Sequence, residues 1–132
     1  MPFKGPAGYA FNRTRQAYLA THVCLAGTHW SRFRGLMWTD AASFKSGQGL
    51  WIVPCHGVHT FAMRFPIDVA YLDRSGRVVH IEKQLKPWRI APVRSKAVSV
   101  LELPENTLDS TDTSVGDELE IAMSGTREAR AQ

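Results

Sequence analysis

Between Pro54 and Asp73 the chain reads PCHGVHTFAMRFPIDVAYLD, which sets Cys55, His56, His59, Thr60, Arg64 and Asp68 among apolar neighbours. Polar groups in such surroundings need partners when buried, because desolvation is costly. The segment is therefore either a self-satisfied structural network or a site. Read as one extended stretch, it puts Cys55, Gly57, His59, Phe61 and Met63 on one face and His56, Val58, Thr60, Ala62 and Arg64 on the other. His59 then stands in an apolar row, where burial favours the neutral imidazole. It is either a core histidine bonded to a carboxylate or carbonyl, or a base. Asp68, beside Ala70 and Leu72, needs a cation or several donors if ionised. Arg64, Arg34 and Arg89 are the candidate cations. The result is either an ion pair that fixes strand register or an acid–base group.

Two further places could carry chemistry. In KPWR, Pro87 holds a loop that presents Trp88 and Arg89, an aromatic plane beside a guanidinium. That combination suits stacking and bidentate anion recognition, although Trp88 could equally cover a core edge. Glu102 falls among Val98, Val100, Leu101 and Leu103, and alternation puts it on the Val98 and Val100 face. It is either a buried partner for an arginine or for His59, or an exposed residue at a strand edge.

Several chemistries fit poorly. Cys55, His56 and His59 give C-H-x-x-H, which lacks the paired ligand clusters of a structural zinc site, so neither a metal nor a cofactor is expected. Cys55, His59 and Asp68 could act as nucleophile, base and orienter, but Cys55 follows Pro54 without a helix N-terminus or adjacent cation to activate it. No nucleophile elbow, phosphate loop or dinucleotide fingerprint is present. The residues point first to a small binding or accessory domain for a small polar or anionic ligand, or for a segment of a partner protein. Arg34, Arg64 and Arg89 would supply charge, Trp88 a stacking face, and His59, Asp68 and Glu102 the polar frame. The alternatives are a hydrolase or transferase using His59 and Asp68 as an acid–base pair, and a structural assembly component with an exposed apolar patch from Trp30, Trp38 and Trp51.

The elements that must position these groups follow from pattern. Residues 1–16 lack periodicity and read as a flexible or surface-lying arm, 17–123 as one β-rich domain and 124–132 as a frayed tail. Strands are expected over 18–25, 50–53, 58–63, 67–72, 77–82, 98–103 and 117–123. A helix capped by Thr28 is expected over 29–38, where Trp30, Phe33, Leu36 and Met37 make an apolar stripe. Asp73–Gly76 is a turn, 84–97 a loop, and 104–114 can hold one helical turn. This is an α+β chain: a single compact β-rich domain, a curled antiparallel or mixed sheet or small barrel with one or two short helices.

Composition sets the remaining bounds. The 132 residues suit one domain. The net charge of +4 is unevenly spread, with residues 1–35 and 83–100 wholly basic in their charges and residues 101–132 strongly acidic. That argues against a nucleic-acid partner bound on one basic face, and for ends that pair across the fold or a local patch for a small anion. No membrane span and no secretory signal are legible, so a cytoplasmic location is the expectation, with Cys24 and Cys55 as free thiols. Nothing in the sequence sets the oligomeric state.

Four stretches together resemble a known family: RFRGLMW; GLWIVPCHGVHTFAMRFPIDVAYLDRSGRVV; KPWRIAPVRSKAVSVLELP; and VGDELEI. The chain is similar over about residues 18–123 to the bacterial and archaeal domain of unknown function 192. The likeness rests on Arg34-Gly35-Leu36-Met37, on His59-Thr60 with Met63 and Pro66-Ile67-Asp68-Val69, on Asp73 with Gly76, and on Leu101-Glu102-Leu103-Pro104. The turn is looser here than a plain Asp-Gly pair. The resemblance implies a compact β-rich domain with short helices, assigns no activity or catalytic residue, and includes relatives that look exported or lipid-anchored.

Overall fold

The structure, a computed structural model, describes residues 7–124, with the backbone alone for Trp30, Phe33 and Arg34. The expectations for the side chains of Trp30 and Arg34, and for the tail beyond Ser124, lie outside the described residues. Seven strands form one sheet: β1 (Gly8–Asn12), β2 (Ala17–Ala26), β3 (Gln48–Ile52), β4 (Ile67–Leu72), β5 (Val78–Leu85), β6 (Ser99–Pro104) and β7 (Leu119–Met123). Their order is β5-β4-β6-β3-β2-β1-β7. Among the described residues, only the β2–β3 pair is parallel. Its crossover contains helix α1 (His29–Arg34), and a second short helix, α2 (Thr107–Ser110), follows β6.

β4 and β6 lie mid-sheet, and apart from Pro104 every residue in them is buried. Sheet strands covered on both faces read as continuous apolar runs, which explains IDVAYL and SVLELP. The sheet curls until its edges meet. Val78 N donates to Asp117 O at 2.8 Å, Leu119 N donates to Gly76 O at 2.9 Å, and Arg77 bridges Glu118. Gly76 makes that closure possible: its φ is +90°, and a Cβ there would stand 2.6 Å from Leu119 O. The result is a half-barrel with two apolar layers. Inside the curl lie Ala10, Val23, Ala70, Leu72, Leu101, Leu103, Leu108 and Leu119. On the outer face, Cys24, Ile52, Val69, Tyr71 and Val100 are covered by Leu36, Phe44, Val58, Met63, Ala91 and Ala97 from the connecting loops.

Opposite charges join the two ends of the chain. Arg13 pairs with Glu120 at 3.0 Å, and Arg15 pairs with Asp117 at 3.0 Å and Asp112 at 3.5 Å. Asn12 Nδ2 also donates to Asp117 Oδ2 at 3.0 Å.

Three local expectations need correction. β1 occupies part of the stretch read as an arm; its ladder to β7 is a long-range pairing that no local periodicity reveals. The helix stops at Arg34 rather than Trp38, because Gly35 turns out of it at φ +48°. Residues 58–63 form no strand: Ala62 sits at φ +58°, and only a single bridge joins His59 to Ile90. β3 already has β2 and β6 as neighbours. These apolar residues therefore fold over the outer sheet face as a cover.

Candidate functional site

Two loops over the outer face are zipped together by backbone bonds. Cys55 N donates to Val98 O (2.9 Å), Arg94 N to His56 O (2.9 Å), Ala91 N to Val58 O (2.9 Å) and Thr60 N to Arg89 O (2.8 Å). Thr60, fully buried, works at the centre: its hydroxyl donates to Lys86 O at 2.6 Å and accepts from Arg89 N at 2.8 Å. Tyr71, whose hydroxyl burial pushes up to about 12, stays protonated and donates to Pro92 O at 2.7 Å. The loops thus form a fixed rim.

Beneath this rim is a cavity of about 40 Å³, lined by Arg32, Gly35, Leu36, Met37, Ile52, Cys55, Gly57, Val58, His59, Met63 and Glu102. Glu102 forms the polar floor. It stands in mid-sheet, opposite Leu50 on β3 and Val69 on β4, and is 2% exposed. Its Oε1 has no hydrogen-bond partner among the described residues. Burial pushes the carboxyl up to about 8, so at neutral pH it holds its proton. Gly35 lets the floor stay open, since a Cβ on that residue would reach within 3.4 Å of Glu102 Oε1.

Cys55 donates its thiol proton to Gly57 O at 2.8 Å. Burial raises its pKa, as does the field of Glu102, while Arg32 pulls the other way. This cysteine is a neutral thiol and not an activated nucleophile. Arg32 is held by Gly27 O at 3.3 Å and by His29 Nδ1 at 2.9 Å. His59 Nδ1 accepts from Phe61 N at 3.3 Å. Its ring lies 5.0 Å from that of Phe61, which stacks at 6.1 Å on Trp88. Phe61 is 39% and Trp88 63% exposed, so an aromatic shelf runs outward from the cavity.

The structure brings some of the predicted residues together and separates others. His59, Trp88 and Glu102 belong to the cavity and its shelf. Arg89 is exposed beside Trp88, with Nη1 on Trp88 O at 3.4 Å. Asp68 does not belong. It is 1% exposed and accepts from Gln84 N and Leu108 N, each at 2.9 Å, on the inner face with Ala70 and Leu72. It needs no cation, because two backbone donors satisfy it. Arg64 pairs with Asp40 at 2.6 Å on the surface instead. His59 and Asp68 therefore stand on opposite sides of the sheet, as do Cys55 and Asp68, and neither the acid–base pair nor the thiol triad assembles. Among the described residues no group of three or more His, Cys, Asp or Glu could hold a metal ion. Sequence reasoning missed Arg32, Gly35 and Phe61 as site residues, and weighed Cys55 only as a nucleophile or metal ligand. The legible signal was Gly35, an isolated glycine inside the apolar helical stripe from Trp30 to Met37.

The family model for the domain of unknown function 192, described as "Uncharacterized ACR", matches residues 10–121. A "UPF0127 protein" of Thermococcus sibiricus is 31% identical over 123 residues, covering 89% of this chain and 77% of the relative. One from Thermococcus gammatolerans is 32% identical over 111 residues, covering 80% and 70%. A solved structure of a protein of unknown function from Novosphingobium aromaticivorans superposes with a TM-score of 0.76 at 18% identity, over 90% of this chain and 94% of that one. A putative transcription regulator from Sinorhizobium meliloti gives 0.72 at 20% identity, over 92% and 96%. These two likenesses concern the fold.

Proposed function

From the premise that the chain belongs to the domain of unknown function 192 family, in which the matched relatives carry no assigned activity, we propose that it is a small binding domain. The Glu102 cavity takes one small polar or anionic group of a ligand or partner-protein segment, and the Phe61–Trp88 shelf takes the planar or apolar part beside it. The observation that carries this reading is the fully buried Glu102 Oε1 without a partner among the described residues, on the floor of a lined cavity. A buried polar atom left unsatisfied is costly, and a ligand atom that pairs with it recovers that cost.

The size and charge of the site favour this ligand class. A 40 Å³ space holds about one water or one small group, not a whole substrate. Below pH 8 the protonated carboxyl can donate to an anion or carbonyl oxygen, and Arg32 on the wall adds positive charge. Ionised Glu102 would repel the same anion, so binding should weaken above that pH.

The test is a thermal-shift screen against small carboxylates, amides, phosphate and methylammonium at pH 6 and pH 9. A ligand at a hundred times its dissociation constant adds about 2.7 kcal/mol of stability, which moves Tm by several degrees. We expect an anionic or carbonyl ligand whose shift is larger at pH 6, loses that pH dependence in Glu102→Gln, whose amide N–H donates at either pH, and is lost in Trp88→Ala. Trp88 is largely exposed, so its removal should leave the unliganded Tm nearly unchanged. A shift insensitive to both substitutions, or none from any class, refutes the proposal.

A further inference from the structure

The mouth of the half-barrel is a second cavity, which shares no lining residue with the Glu102 cavity. It has a volume of about 400 Å³ and lies between Trp51 on β3, Leu72 on β4, Ser99 on β6, Leu119 and Ile121 on β7, and the Asp73–Gly76 turn. Trp51, Leu72, Leu119 and Ile121 belong to the inner apolar layer, which opens here to solvent. The volume is within the range of small-molecule sites, and barrel mouths are a recurrent place for them.

The chemistry of the opening is one-sided. Its two carboxylates are already occupied. Asp73 Oδ1 accepts from Ser75 N, Ser75 Oγ and Arg77 N at 2.8–2.9 Å. Glu120 is held by Arg13 at 3.0 Å and by Tyr9 Oη at 2.7 Å. Two donors are not occupied. The Trp51 indole N–H is shielded from water and has no acceptor among the described residues. Arg74, exposed at the rim, makes no ion pair among them. Apolar walls with donors alone left over call for an apolar body that ends in an acceptor carrying negative charge.

We infer that the barrel mouth binds a free small-molecule monocarboxylate with an apolar body, its carboxylate shared by Arg74 and the Trp51 indole N–H and its body against Leu72, Leu119 and Ile121. This site is independent of the Glu102 cavity, and either could exist without the other.

Octanoate is the probe, with octanol and octylammonium as controls, in calorimetric titrations of the full chain backed by amide chemical-shift mapping. Octanoate should bind saturably, at least tenfold tighter than octanol, with octylammonium weaker still, and should move the amide signals of Ser75, Gly76 and Ser99. Arg74→Ala should abolish the preference for octanoate over octanol. Trp51→Phe, which keeps an aromatic wall but removes the donor, should weaken octanoate about tenfold. Glu102→Gln and Trp88→Ala should leave octanoate binding unchanged, so the two sites fail separately. Absence of saturable binding, an equal affinity for all three probes, or octanoate binding that survives both Arg74→Ala and Trp51→Phe overturns the inference. If Trp51→Phe fails to fold, Arg74→Ala on the exposed turn decides alone.

Discussion

Asp68 and Glu102 are both carboxylic acids buried in neighbouring central strands, one 1% and the other 2% exposed, yet they are opposite in character. Asp68 faces the inner layer and accepts two backbone N–H bonds, one from Gln84 on β5 and one from Leu108 in α2. It ties an edge strand and a helix to mid-sheet. Glu102 faces the outer layer, with Oε1 unpaired among the described residues and a cavity above it. Burial alone therefore does not distinguish a structural acid from a functional one. The difference lies in whether the fold has already supplied the partners.

The largest expected break of this comparison is Asp68→Ala. It strands two buried backbone donors and should cost about 3 kcal/mol in denaturant-unfolding free energy. A cost under about 1 kcal/mol would mean that water replaces the carboxylate and that Asp68 is no tie.

Next comes the response to pH. Glu102 is raised in the folded protein, from 4.5 to about 8, so its contribution is fully present below 4.5 and is lost as pH rises through about 8. The folded state keeps a proton that the unfolded state has released, and unfolding free energy should fall with a slope of up to about 1.4 kcal/mol per pH unit inside that window. Glu102→Gln should remove the slope and gain relative stability toward pH 9, measured as denaturant midpoints at pH 5, 7 and 9. Parallel curves for the two proteins would place an unrecognised cation beside Glu102.

Asp117 sharpens the contrast from the acid side. Burial pushes its pKa up, but bonds from Asn12, Ser114 and Arg15 outweigh that and leave it below 3.8. Its contribution is present above 3.8 and is lost as pH falls through the lowered folded value. Asp117→Asn should cost about 1–2 kcal/mol at pH 7 and progressively less toward pH 2. The smallest effect belongs to Arg64→Ala. The Arg64–Asp40 pair has side chains 59% and 66% exposed, and should shift stability by no more than about 0.5 kcal/mol.

The legibility of the fold followed the range of the interactions. IDVAYL and SVLELP were readable as strands because burial on both faces writes itself into consecutive apolar residues. The Asp73–Gly76 turn was readable because its residue types dictate its backbone. β1 was not, since GYAFN is too short to show a period and becomes a strand only by pairing with β7. The same limit governed the site. Glu102 stood out as an acid among valines and leucines. Its neighbours Arg32, Gly35 and Cys55 come from a helix and two loops whose approach no spacing encodes. Asp68 misled for the complementary reason: its partners are backbone groups, which carry no residue type to search for.

The ladder between the first and last strands also bears on how the chain comes to be folded. β1–β2 and β4–β5 are hairpins that can form early, but the outer side of β1 waits for β7, which is synthesised after the other six strands. Until then β1 presents an unpaired edge, the kind of surface that recruits other chains. Such distant pairing places the protein among slow folders, on a scale of milliseconds to seconds. A chain broken off before Leu119 would keep most of its apolar layers and still carry that open edge, so it should aggregate rather than merely unfold.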